Sequence, residues 1–193
     1  MALTLWSALG RFPPAAYADT NFLFLLWEFE TARGNDSRRG PAVQFLHRLA
    51  NAGTEVWTSM LATQEACWLI WRDVIRSAQQ AAGKGNLSPK RFKLEAEYPP
   101  AAERANLETR LFVQAMLQVG IRVRSPHQGG RATDDDLLIR VFRVLQVQYR
   151  LEPADTWHLA LAWCDRDNPA PALISDDRDL KQVSEVDVFA YTP

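Results

Sequence analysis

At 193 residues, with 47% apolar and 23% charged side chains, the chain has the balance of one globular domain and not of a disordered or fibrous protein. A net charge of −1 gives no overall pull toward nucleic acid, so any surface for it has to be local. The longest apolar run, Phe22 to Trp27, is too short to span a bilayer, and MALTLWSALGRF has neither the basic start nor the cleavage site of a secretory signal. Cys67 and Cys164 both fall in helical, apolar surroundings and read as reduced thiols, so the expectation is a cytoplasmic protein with one domain over residues 1–193.

Residues 1–14 read as an amphipathic lead-in closed by Pro13 and Pro14. Residues 15–18 form a weak strand that runs through Asp19-Thr20-Asn21 into the apolar helix start FLFLLW. The polar loop 31–40 carries Arg33, Arg38 and Arg39. Pro41 opens a second helix with Val43, Leu46, Leu49 and Ala50 at helical spacing, and Gly53 is placed to end it as a left-handed cap. Residues 54–58 alternate as a strand. Ser59 can then cap a long helix over 60–80, on which Leu61, Glu65, Trp68, Arg72 and Ile75 share one stripe. A carboxylate at Glu65, inside that stripe, is costly unless something binds it.

The stretch 81–100 breaks the pattern with Gly, Pro and the basic cluster Lys84, Lys90, Arg91 and Lys93, and reads as an insertion or mobile loop. A helix over 101–118 and a short strand over 121–124 follow, then a loop over 125–133 and a helix over 134–149 with Leu138, Val141, Phe142 and Leu145 inward. Pro153 opens another helix with Asp155 in its first turn and His158 three residues on. The strand 172–175 runs straight into Asp176-Asp177-Arg178-Asp179, and a last strand covers 186–191. Alternating strands and helices predict a three-layer α/β/α domain with a mostly parallel central sheet. In such sheets working side chains gather outside the carboxyl ends of the strands, where the strand order reverses. Asp19, Glu65, Asp155 and Asp177 all lie just after a strand or in the first turns of a helix.

Carboxylates brought together raise one another's pKa unless a cation neutralises them. Hard oxygen donors in that number suit Mg²⁺ or Mn²⁺, and the chemistry that follows is phosphodiester hydrolysis by metal-activated water. Each acid also has a plainer role open to it. Asp19 can cap the helix at Phe22, and Asp155 can be a first-turn acid. One of Asp176, Asp177 and Asp179 can be a turn residue, and Glu65 can pair with Arg72. His158 can bond a site carboxylate or fill the core, and Asp134-Asp135-Asp136 reads as a solvated helix start.

Four segments come in order: Tyr17-Ala18-Asp19-Thr20-Asn21, Ser59-Met60-Leu61-Ala62-Thr63-Gln64-Glu65, Asp155-Thr156-Trp157-His158-Leu159-Ala160, and Ile174-Ser175-Asp176-Asp177-Arg178-Asp179-Leu180. Together they resemble the PIN-domain family over nearly the whole chain, the lead-in and 81–100 excepted. The resemblance implies an α/β/α fold with a parallel sheet and a metal-dependent nuclease site that usually acts on RNA. It implies Asp19, Glu65 and Asp155 as metal-binding acids, Asp177 and then Asp179 as the fourth, and Thr20 and Asn21 as supports. It also implies a VapC-type toxin blocked by a small antitoxin, and a homodimer.

The expected function is therefore a Mg²⁺- or Mn²⁺-dependent ribonuclease. Asp19, Asp155 and Asp177 (or Asp179) hold the metal, Glu65 ligates it or positions the attacking water, and His158, Thr20 and Asn21 support the site. Arg33, Arg38, Arg39, Lys90, Arg91 and Lys93 are candidates for phosphate contacts, which position a nucleic acid without reading its sequence. The alternatives are a solitary RNA-processing nuclease and a PIN-like module that binds RNA or protein without cutting. A phosphatase with an aspartate nucleophile is a further rival, but Asn21 stands where its second aspartate would be needed.

Overall fold

A computed structural model describes residues 12–33, 35–124, 135–164 and 172–192. The lead-in up to residue 11, the loop expected over 125–133 and the side chains of Asp134, Asp135 and Asp136 fall outside them. The described elements are β1 (Ala15–Ala18), α1 (Thr20–Glu30), α2 (Arg39–Asn51), β2 (Glu55–Ser59), α3 (Met60–Ala81), α4 (Pro89–Phe92), α5 (Tyr98–Gln118), β3 (Arg122–Arg124), α6 (Asp135–Tyr149), α7 (Pro153–Trp163), β4 (Ala172–Ile174) and β5 (Asp187–Phe189). The strands form one parallel sheet in the order β3-β2-β1-β4-β5, with helices packed as the outer layers of an α/β/α fold.

The weak strand turns out to be the centre of the sheet. All four residues of β1 are buried, and its three alanines let helices approach closely on both faces. The chain leaves β1 for β2 and β3 on one side and returns to β4 and β5 on the other. Right-handed crossovers then set the helices between β1 and β3 on one face and α6 with α7 on the opposite face. The contacts of α1 with α3, α3 with α5, and α6 with α7 follow that division. The strand order reverses at β1, so the crevice at the carboxyl ends of β1 and β4 is the natural place for a site.

Two helix expectations need correction. On α3 the inward face is Ala62, Ala66, Ile70 and Val74, while Trp68 is exposed and Arg72 stacks over its ring at 4.6 Å. Small alanines fit against the sheet where tryptophan does not, so Glu65 lies at the margin of the buried face and not inside an apolar stripe. On α2 the core takes Ala42, Phe45 and Leu49, with Phe45 edge-on to Phe22. Val43, Leu46 and Ala50 are turned instead toward a groove shared with α1 and α5. The stretch 81–100 is built into the fold: Phe92 is fully buried, and the Gln79 amide donates to the Lys84 and Leu87 carbonyls at 2.9 and 2.7 Å. Lys84 bridges Glu95 and Glu97, and α5 starts at Tyr98 with Pro99 and Pro100 in its first turn, where a missing N–H costs nothing.

Gly53 holds the left-handed conformation expected of it, with φ +74°, and a Cβ there would meet nothing within 4 Å. Gly53→Ala should therefore cost only backbone strain, roughly 1 kcal/mol, read as a lower urea midpoint with an unchanged slope.

Candidate active site

Asp19 follows the last residue of β1, and its N–H donates to the Ile174 carbonyl at 3.3 Å, which ties the end of β1 to β4. Its extended backbone makes it the N-cap of α1, with Oδ1 accepting from the Phe22 N–H at 2.7 Å. The capping role and a site role are thus compatible, since a second carboxylate oxygen remains. Asp19 is only 3% exposed, and burial pushes its carboxyl up to about 6 against the opposing bonds from Ser175 and Phe22. Neighbouring Asp177 raises it further.

Asp155 is half-buried in the first turn of α7. Burial raises its carboxyl, and Asp177 and Asp179 add to the rise. Beyond β4, Ser175 is fully buried, and its hydroxyl accepts from the Asp177 N–H at 3.1 Å while bonding the Asp19 carboxylate. Asp177 Oδ1 in turn accepts from the Asp179 N–H at 2.8 Å, as in an aspartate turn. Asp176 points elsewhere: it takes the Thr192 hydroxyl at 2.5 Å and lies 3.7 Å from the Lys181 ammonium. Among the three aspartates after β4, Asp177 acts on both Asp19 and Asp155, whereas Asp179 acts on Asp155.

Glu65 is drawn in by a second set of bonds. Its Oε2 accepts from the Thr20 hydroxyl at 2.6 Å and lies 2.9 Å from His158 Nε2. His158 is 4% exposed, and its Nδ1 lies 2.8 Å from the Tyr17 hydroxyl, which is 2.8 Å from the Ser59 hydroxyl. An ionised carboxylate only accepts, so in neutral His158 the Nε2–H donates to Glu65 and Nδ1 accepts from Tyr17. Burial raises the Tyr17 hydroxyl far above its ordinary value and keeps it a donor. The His158 bond, ahead of the Thr20 bond, lowers the Glu65 carboxyl and holds it charged. Glu65 therefore pairs with His158 and not with Arg72, and His158 both bonds a site carboxylate and fills the core. Both donors use Oε2, which leaves Oε1 for a water or an ion.

Sequence reasoning missed Tyr17, Ser59 and Ser175. Tyr17 and Ser59 were already inside the motifs, but nothing in a single chain says that strands 42 positions apart are neighbours. Asn21 is exposed at the start of α1, close in sequence to the acids but bonded to none of them among the described residues.

The basic residues separate. Arg33 pairs with Glu108 at 2.5 Å, and Arg39 donates to the Glu28, Arg33 and Asp36 carbonyls, so these two brace the loop after α1. Arg38 forks onto Asp36, and its charge also acts with Asp176 and Tyr191 at the edge of the acidic rim. Lys90, Arg91 and Lys93 are exposed on and just after α4, and none is among the charges that shift Asp19, Glu65 or Asp155.

The donor set is hard oxygen throughout, with a buried carboxylate that no lysine or arginine figures in neutralising, and such a set fits a divalent cation. Among the described residues no three His, Cys, Asp or Glu side chains converge closely enough to cage an ion alone. No described helix is long and apolar enough to cross a membrane. No protein-family model matches the chain, and no curated protein matches it.

Proposed function

We propose that the protein is a metal-dependent ribonuclease of the PIN-domain type, with the acidic rim at the carboxyl ends of β1 and β4 as its active site. The observation that carries the reading is Asp19: a buried carboxylate at the switch point of the sheet, with its charge opposed by burial and by Asp177, which also raises Asp155. Mg²⁺ or Mn²⁺ bound there would activate water and neutralise charge on the phosphate. Asp19, Asp155 and Asp177 would hold the ion, directly or through water, with Asp179 the next candidate. Glu65, fixed by Thr20 and His158, keeps Oε1 toward the attacking water. Arg38, whose charge acts with Asp176 and Tyr191, would meet a phosphate by exchanging its fork onto Asp36 for it. RNA is the proposed substrate, and a toxin role would add a small antitoxin partner and a homodimer to the proposal.

Cleavage of mixed RNA by the purified protein in Mg²⁺ or Mn²⁺, and its loss in EDTA, is the expected result. Asp155→Asn and Asp177→Asn should each lower the rate by about two to three orders of magnitude, while Asp176→Asn leaves it within a few-fold. Absence of cleavage with either metal, or full activity in Asp155→Asn, would end the nuclease reading. Loss in Asp176→Asn with activity kept in Asp177→Asn would move the fourth acid.

A further inference from the structure

Tyr191 lies two residues beyond the end of β5, and the chain on either side of it is tied to the acidic rim. The Phe189 carbonyl accepts from the Ser175 N–H at 3.1 Å, and the Thr192 hydroxyl donates to Asp176 at 2.5 Å. Tyr191 is 1% exposed, and its ring packs on the Phe22 ring with centroids 5.2 Å apart. Phe22 is also the residue whose N–H caps Asp19. Tyr191 is thus bracketed by residues that touch Asp19 and the turn after β4.

The Tyr191 hydroxyl is buried and has no hydrogen-bond partner among the described residues. A buried tyrosine usually finds one, and phenylalanine would fill the same space without leaving a polar atom unpaired. Burial, and then the charges of Asp19 and Asp176, raise the hydroxyl far above its ordinary value and keep it protonated. It is therefore a donor in want of an acceptor. Asp176 already takes both the N–H and the hydroxyl of Thr192, and Asp36 takes the Arg38 fork. Asp19 has capacity left. An ionised carboxylate offers about four lone-pair sites, of which the Phe22 N–H and the Ser175 hydroxyl occupy two. A third faces the ion on the proposed reading of the rim, which leaves one for Tyr191.

We propose that Tyr191 is a positioning residue of the acidic rim, whose hydroxyl closes on Asp19 when a bound divalent cation holds that carboxylate charged. The bond fixes how the carboxylate is turned toward the ion, as hydrogen bonds to metal ligands commonly do. The inference rests on the metal-binding reading of Asp19 and adds to it a residue from the far end of the chain.

Titration of the full chain with Mn²⁺, read by the electron paramagnetic resonance of the free ion, tests the role. Tyr191→Phe should raise the dissociation constant at least about tenfold, the usual effect of losing a hydrogen bond to a metal ligand. Without metal the same variant should melt no lower than the unaltered protein, because it keeps the ring and deletes only an unpaired hydroxyl. With ¹³C at the oxygen-bearing ring carbon of every tyrosine, Mg²⁺ should shift the resonance that Tyr191→Phe removes, one of four. Equal Mn²⁺ affinity in the two proteins overturns the inference while the reading of the rim stands, as does a Tyr191 resonance that Mg²⁺ leaves in place. A lower melting temperature without metal overturns it too, because the hydroxyl would then be structural. No Mn²⁺ binding by the unaltered protein would remove the reading of the rim and this inference together.

Discussion

Asp19→Asn should make the metal-free protein more stable at pH 7.5 and, on the proposed nuclease reading, abolish cleavage of RNA. The folded carboxyl titrates at about 6 and an unstructured one at 3.8, because burial disfavours its charge. The folded state therefore holds the Asp19 proton more tightly than the unfolded chain does. Below pH 3.8 the group is neutral in both states and its contribution to stability is fully present. That contribution is lost as the pH rises to and through 6, and above it the folded state carries a buried charge at a cost of roughly 2–3 kcal/mol. Asparagine removes that charge, keeps the cap oxygen for the Phe22 N–H, and offers its amide to the Ser175 hydroxyl. For a domain of this size, the gain corresponds to a melting temperature about 5–10 °C higher at pH 7.5, shrinking to nothing near pH 3.5. Mg²⁺ should raise the melting temperature of the unaltered protein and leave Asp19→Asn almost unmoved, since only a ligand that binds the folded state stabilises it. Cleavage of RNA should fall by about two to three orders of magnitude. Equal melting temperatures at pH 7.5, or equal shifts with Mg²⁺, would mean that Asp19 is an ordinary helix cap.

Asp19 and Phe45 illustrate how far the sequence could be read. Alternation of strands and helices was legible because each periodicity is local, and the parallel α/β/α fold follows from it. The acids after strand ends were legible because topology places them, whatever the details of packing. What stayed hidden was any choice made by a neighbour distant in sequence. On α2 and α3 two overlapping apolar stripes compete, and the winner is decided by whether the opposing surface admits Phe45 or Trp68. Asp176 and Asp177 look alike in sequence, yet Thr192 and Lys181 claim one while the Asp19–Ser175 end of the sheet holds the other. The partners of the basic loop were hidden for the same reason: Arg33 meets Glu108, 75 positions away.

His158→Ala should be among the most damaging single changes outside the acids. The ring is buried between the Tyr17 hydroxyl at 2.8 Å and Glu65 at 2.9 Å, and it closes a chain that runs from Ser59 through Tyr17 to Glu65 and Thr20. Removing it leaves a cavity, a tyrosine with one partner fewer and a carboxylate held by Thr20 alone, for a loss of about 3 kcal/mol or more. Tyr17→Phe deletes one hydroxyl and leaves His158 Nδ1 and the Ser59 hydroxyl to each other's distance, for about 1–3 kcal/mol. The two changes break the same bond, so the double variant should lose less than the sum, by about 1 kcal/mol in urea unfolding. Additive losses would show that each side chain acts by packing alone. The activity readout separates support of Glu65 from general softening. If the chain positions Glu65 for the proposed attack by water, Tyr17→Phe lowers the turnover of RNA at saturating substrate and leaves the concentration for half-maximal rate unchanged, as expected of a group that does not bind the strand. A variant of matching instability far from the site, such as Gly53→Ala, should leave both quantities alone.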